Sequence, residues 1–171
     1  MPKLLFQISS STNQTKKTAK FLVKKLIKKD SRKNALVLAL IGDLGSGKTT
    51  FVQGFLRALG IKKRITSPTF VLIKNYKLRR KVGASNKTSG LKTINYKLAH
   101  HIDCYRIHKP TEMLKLGFKD IVGDSQNIVL IEWADKIRKI LPRDVIWINF
   151  GYGDKANQRS INVKFKNQKL K

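Results

Sequence analysis

The chain has 171 residues, 41% of them hydrophobic, with 37 Lys and Arg against 10 Asp and Glu and a formal net charge of +27. That length suits one domain, residues 1–171, around a single core, and no apolar run approaches the ~18 residues needed to cross a bilayer. The lone cysteine, Cys104, excludes an internal disulfide or a cysteine metal cluster and fits a reducing, cytoplasmic compartment.

The N-terminus "MPKLLFQISSSTNQTKK" turns polar too early for a signal-peptide core. From Thr12, Ala19, Leu22, Val23, Leu26 and Ile27 recur at helical spacing, while Lys16, Lys17, Lys20, Lys24 and Lys28 take the other face. Residues 35–41, "ALVLALI", predict a strand buried on both sides. The stretch "GDLGSGKTT" follows at once, and a helix should start near Lys48 and stop at Gly60. "ITSPTFVLIKNY" reads as a turn and a strand, and "LAHHIDCYRI" as another strand. Between them the basic, Gly- and Ser-containing stretch at about 77–98 predicts an exposed hairpin-like excursion. A short helix around Glu112–Leu116 precedes "NIVLIEWADKI", a buried strand running into a helix that ends near Pro142. "DVIWINF" and "RSINVKF" then alternate as two antiparallel strands. Strands alternating with helices predict an α/β fold with a central, mostly parallel sheet and antiparallel additions.

Residues 42–49 satisfy G-x-x-x-x-G-K-[ST] in full, between a buried strand and a helix N-terminus, where a P-loop must lie. Glycines let the backbone curl so that successive amides point at phosphate oxygens, and the helix adds its positive end. Lys48 would reach the β- and γ-phosphates and the Thr49 hydroxyl would ligate Mg²⁺. The predicted fold is then the three-layer sandwich of P-loop NTPases. Such a site needs an acid at the end of a neighbouring strand, and Glu132 follows four apolar residues there. Asp103 stands at a similar strand end, where it could orient water. Thr69 of "SPTF" is a candidate γ-phosphate sensor. Trp133 fits a place over the site or an ordinary core position equally well. His100 and His101 lack partners at ligand spacing and read as non-metal; Cys104 reads as a buried bystander.

The charge has two readings. Lysines near phosphates release counterions and give sequence-independent affinity for a polyanion. Equally, Lys far outnumbers Arg, Asn is plentiful, and the lysines are spread along the whole chain, as a coding bias would produce. Direct contact with RNA stays open on this ground. Acids are scarce either way, so one closing an apolar strand needs a reason.

"GDLGSGKTT", "ITSPTF", "HIDCYRI", "LGFKDI" and "IVLIEWADKI" with the following "LP" occur in the order seen in one family. The chain resembles TsaE, the P-loop ATPase family of bacterial tRNA threonylcarbamoyladenosine (t6A) modification, over about residues 15–159. The resemblance implies ATP on Gly45, Ser46, Gly47, Lys48, Thr49 and Thr50, and Mg²⁺ on Thr49 and Glu132. It implies that Asp103 is needed for hydrolysis, that Trp133 belongs to the site, and that Thr15 and Arg159 lie near the nucleotide. Lys48, Asp103 and Glu132 are then the catalytic set. It also implies partnership with TsaD and TsaB, with tRNA present in the complex, and an activity that is low until partners stimulate it. The excursion is longer than the family's usual spacer. Two other functions fit parts of the chain: a P-loop small-molecule kinase, for which Arg79 and Arg80 make a poor lid, and a basic RNA-binding module with a structural nucleotide.

Overall fold

The computed structural model describes residues 4–27, 32–78 and 96–165. Their elements are β1 (Leu4–Ser9), α1 (Thr12–Leu26), β2 (Leu36–Ile41), α2 (Lys48–Ala58), β3 (Ile73–Lys77), β4 (Leu98–Asp103), α3 (Pro110–Lys115), α4 (Phe118–Gly123), β5 (Asn127–Glu132), a 3₁₀ helix (Ala134–Ile140), β6 (Ile146–Tyr152) and β7 (Arg159–Lys164). Most of the basic excursion, with Arg79 and Arg80, lies outside the described residues.

The strands form one sheet in the order β1-β7-β6-β2-β5-β4-β3. Its centre is parallel, β6 with β2, β2 with β5 and β5 with β4. Antiparallel strands extend both edges. This is the expected α/β sheet, and its central strands are buried on both sides because helices cover both faces. Along β2, Leu36, Leu38 and Leu40 point into one cluster with Leu22 of α1 and Phe51 and Phe55 of α2. Val37 and Ala39 point the other way, into a cluster with Met113 of α3, Phe118 of α4 and Ile137. Period-2 alternation thus feeds two cores from one strand and makes the three layers.

Local signals account for the helix limits. The Ser11 hydroxyl accepts from the Gln14 amide at 3.2 Å and caps α1, and Gly60 at φ 93° ends the turn after α2. Gly54 lets the two helices touch, since a Cβ there would stand 2.6 Å from Lys16 Cα.

Three details differ from the sequence reading. The helix expected after Trp133 is present and ends before Pro142, but it is 3₁₀ and kinked at Ile137. Residues 118–123 form an additional short helix. β1, unassigned in the sequence, pairs with β7 as an edge strand. Its pattern misleads: Phe6 and Ile8 are exposed while Leu5 packs on the core.

Candidate functional site: a loop, two strand-end acids and a hydroxyl turn

Segments distant in sequence meet where the parallel strands end. Register puts Leu40 of β2 opposite Glu132 and Glu132 opposite Asp103, so both acids stand beside the loop that leaves β2. Gly42, Gly45 and Gly47 adopt φ of 141°, 75° and 102°, backbone that side-chain-bearing residues rarely adopt. Gly42 is the tightest, because a Cβ would lie 2.3 Å from the Phe150 carbonyl oxygen. Gly47 is also the N-cap of α2, which has no side-chain cap, so no capping side chain claims the leading amides.

Gly45, Gly47, Lys48, Thr49, Thr50, Thr69, Asp103, Glu132 and Trp133 line one cavity of about 340 Å³, together with Leu44, Ser67 and Tyr105. The Thr49 hydroxyl donates to Glu132 Oε2 at 2.7 Å. The other Glu132 oxygen lies 2.7 Å from His101 Nε2, and both residues are buried. Asp103 Oδ2 accepts from the Thr69 hydroxyl at 2.5 Å and the Ser67 hydroxyl at 2.8 Å, while Oδ1 takes the Tyr105 amide. The "SPTF" turn is therefore tied to the strand-end aspartate.

Lys48 is 4% exposed. Its ammonium donates to the Gly42 and Asp43 carbonyls at 2.6 and 2.8 Å and sits 4.0 Å from the Trp133 ring centre. Burial pushes its pKa below the ordinary 10.5, against the pull of Glu132, Asp103 and Asp43. Trp133 reaches this position through a left-handed backbone, φ 57°, directly after Glu132. Leu72, the other described non-glycine at positive φ, supplies the carbonyl that accepts the Asp103 amide. A bulky residue in this region stores strain, and here both cases flank an acid of the site.

The remaining residues implied by the resemblance lie farther out. Arg159 does not line the cavity, but its Nε donates to the Gly45 carbonyl at 3.0 Å. Ser46 is buried beneath the loop, 3.5 Å from Lys48 Nζ. Thr15 is buried on α1 with its hydroxyl 2.7 Å from that of Ser9, outside the cavity lining. Burial pushes the Cys104 thiol up to about 12, which leaves it without a thiolate at neutral pH.

The sequence reading missed four participants: His101, Ser67, Tyr105 and Tyr152. The Tyr152 hydroxyl donates to the Leu44 carbonyl and its ring stacks under the Arg159 guanidinium at 4.8 Å. Two had a usable signal: Ser67 opens the "SPTF" turn already singled out, and His101 stands two residues before Asp103 on the same side of β4.

The donor set suits a hard cation. Thr49 and Glu132 offer oxygen atoms only, the ligands Mg²⁺ takes alongside phosphate and water. Among the described residues no group of three or more His, Cys, Asp or Glu could hold a metal by itself.

A parallel-centred sheet, a glycine loop entering a helix and a strand-end carboxylate on the loop hydroxyl define a protein of the P-loop class. Residues 9–161 match the family model described as threonylcarbamoyl adenosine biosynthesis protein TsaE, and the chain belongs to that family. It is similar to proteins named "tRNA threonylcarbamoyladenosine biosynthesis protein TsaE" from Haemophilus influenzae and Rickettsia typhi, at 34% identity to each. The first match covers 71% of this chain and 66% of that protein. The second covers 91% and 93%. The crystal structure of Bacillus subtilis YdiB superposes with a TM-score of 0.70 at 28% identity, covering 98% of this chain and 88% of that one.

Proposed function

We propose that this chain is a Mg²⁺-dependent ATPase acting with TsaD and TsaB homologues in t6A modification of tRNA. The observation that carries the reading is the Thr49 to Glu132 hydrogen bond, which joins the loop hydroxyl to an acid 83 residues away. Lys48 and the amides from Gly45 to Thr50 hold the triphosphate. Thr49 and Glu132 hold Mg²⁺, which supplies Lewis-acid neutralisation of phosphate charge. His101 fixes the second oxygen of Glu132 and so its orientation. Asp103 holds the Ser67 and Thr69 hydroxyls, from where Thr69 senses the γ-phosphate and the carboxylate orients the attacking water. Trp133 covers Lys48, and Arg159 braces the loop at Gly45.

Among the described residues lining the cavity there is no arginine. Arg106 is engaged over the exposed Phe70 ring at 4.4 Å. Low intrinsic turnover raised by partners follows, since an arginine finger is worth 10³–10⁵ in rate.

The test is t6A formation over many turnovers with TsaD, TsaB, tRNA and an activated threonylcarbamoyl donor. Turnover should require this chain and fail with Lys48→Ala. Undiminished turnover without the chain would overturn the proposed role. Chelating Mg²⁺ should abolish ATP hydrolysis while a fluorescent nucleotide still binds.

A further inference from the structure

The lysines are spread along the chain, but the acids are not. No Asp or Glu occurs between Asp43 and Asp103, and before Asp43 there is only Asp30. Folding turns this into a sided charge. α1, α2 and the segment running on to β3 contain no carboxylate. The acids among the described residues sit at the loop, the strand ends, the opposite helical layer and the connecting turns, with Asp154 alone in a turn, β6–β7, that meets Ser10 just before α1.

Lys16, Lys17, Lys20, Lys24 and Lys25 are all exposed on α1, and Arg57, Lys62, Lys63 and Arg64 are exposed on and after α2. Lys16, Lys20 and Lys24 follow at four-residue intervals, about 6 Å apart along the axis. Like charges at that spacing repel and weaken a helix. The helix dipole accounts for Lys24 and Lys25 in the last turn but not for Lys16, Lys17 or Lys20, and the first turn carries no acid. Helix stability therefore does not favour this stripe. Within it Phe21 is 45% exposed, with the Lys25 ammonium 4.9 Å from its ring centre.

We infer that the outer face of the α1/α2 layer is an RNA-binding surface, with the lysine row following a phosphate backbone and Phe21 a platform for an unpaired base. Closely spaced cations beside one aromatic are what an RNA strand engages. A membrane is a poorer match, because Ala19, Leu22, Val23 and Leu26 are turned into the core and leave no apolar face to insert. The relatives named for tRNA modification make a tRNA the natural probe.

The experiment is binding of an unmodified tRNA transcript to the full chain, without ATP, from 50 to 200 mM KCl. Affinity should fall steeply across that range, by about 10³ for six phosphate contacts. Replacing Lys16, Lys17, Lys20 and Lys24 with Gln should weaken binding at least tenfold and reduce the salt slope by roughly 3. Gln has similar helix propensity and removes repulsion, so the fold should persist; the pair Lys20→Gln and Lys24→Gln gives a milder check. Phe21→Ala should weaken binding with the slope unchanged. A control set on the opposite side, Lys115, Lys119, Lys139 and Arg143 to Gln, should lose far less. Equal loss in both sets, or wild-type affinity in the α1 set, would overturn the inference. So would anionic phosphatidylserine vesicles proving to need the α1 lysines while tRNA does not. ATP plays no part in this assay, so its failure and that of the ATPase reading are separable.

Discussion

His101 Nε2 lies 2.7 Å from one oxygen of Glu132 while the Thr49 hydroxyl lies 2.7 Å from the other, so the carboxylate is held from both ends in a buried setting. A carboxylate fixed in this way needs no reorganisation to meet a cation. His101→Leu removes one anchor and leaves a buried oxygen short of a donor, which costs about 1–3 kcal/mol. We expect a lower melting temperature and a Mg²⁺ requirement raised 10–100-fold. A Mg²⁺ titration of ATPase activity matching wild type would refute the positioning role.

Glu132→Gln keeps the size and a hydrogen-bonding head but loses the charge. Nucleotide binding without metal should survive, because the loop amides and Lys48 are untouched, while Mg²⁺-dependent turnover falls by about 10² or more. Single-turnover hydrolysis with saturating nucleotide measures this, and a near-normal rate would disprove the metal-ligand assignment.

The β6–β7 hairpin braces the loop from outside, Tyr152 on the Leu44 carbonyl and Arg159 on the Gly45 carbonyl. Each hydrogen bond contributes about 1 kcal/mol, and 1.4 kcal/mol is tenfold in affinity. Tyr152→Phe should raise the nucleotide Kd by about fivefold, and Arg159→Ala by more, since it also removes the cation from the Tyr152 ring. Isothermal titration of both variants checks the order.

Gly54→Ala sets two effects against each other. Alanine favours a helix interior by about 1 kcal/mol over glycine. Its methyl would stand 2.6 Å from Lys16 Cα, however, and backbone cannot move aside as a side chain can. Overpacking of this kind costs about 1–3 kcal/mol, so α1 and α2 are forced apart and net destabilisation is expected. Denaturant unfolding with an unchanged or raised midpoint would contradict it.

Cys104 supplies a pH test. Its folded-state value, about 12, lies above the ordinary 9.0, so between those limits the unfolded chain ionises and the folded chain does not. This group's contribution to stability is therefore present below pH 9 and lost as pH rises above it. At pH 8 the native thiol should resist a disulfide reagent that reacts promptly in denaturant; rapid labelling of the native protein would show the site is open.

Much of this protein was determined locally. The loop, the helix behind it and the acids closing "HHID" and "LIE" are written within a dozen residues each, because motif and period act over that range. The parallel centre of the sheet followed from strands alternating with helices. What only the tertiary structure decided is which of these pieces touch. Register alone sets Asp103 beside Glu132, and the pairing of β6 with β2 and β7 brings Tyr152 and Arg159 to a loop 108 and 114 residues away. β1 escaped notice because an edge strand leaves one face in water, where Phe6 and Ile8 reverse the usual inside-out pattern. His101 looked idle until its neighbour across the strand was known. The charge shows the division best: composition set its size, but only folding gathered the acid-free segments into one layer and made it a face.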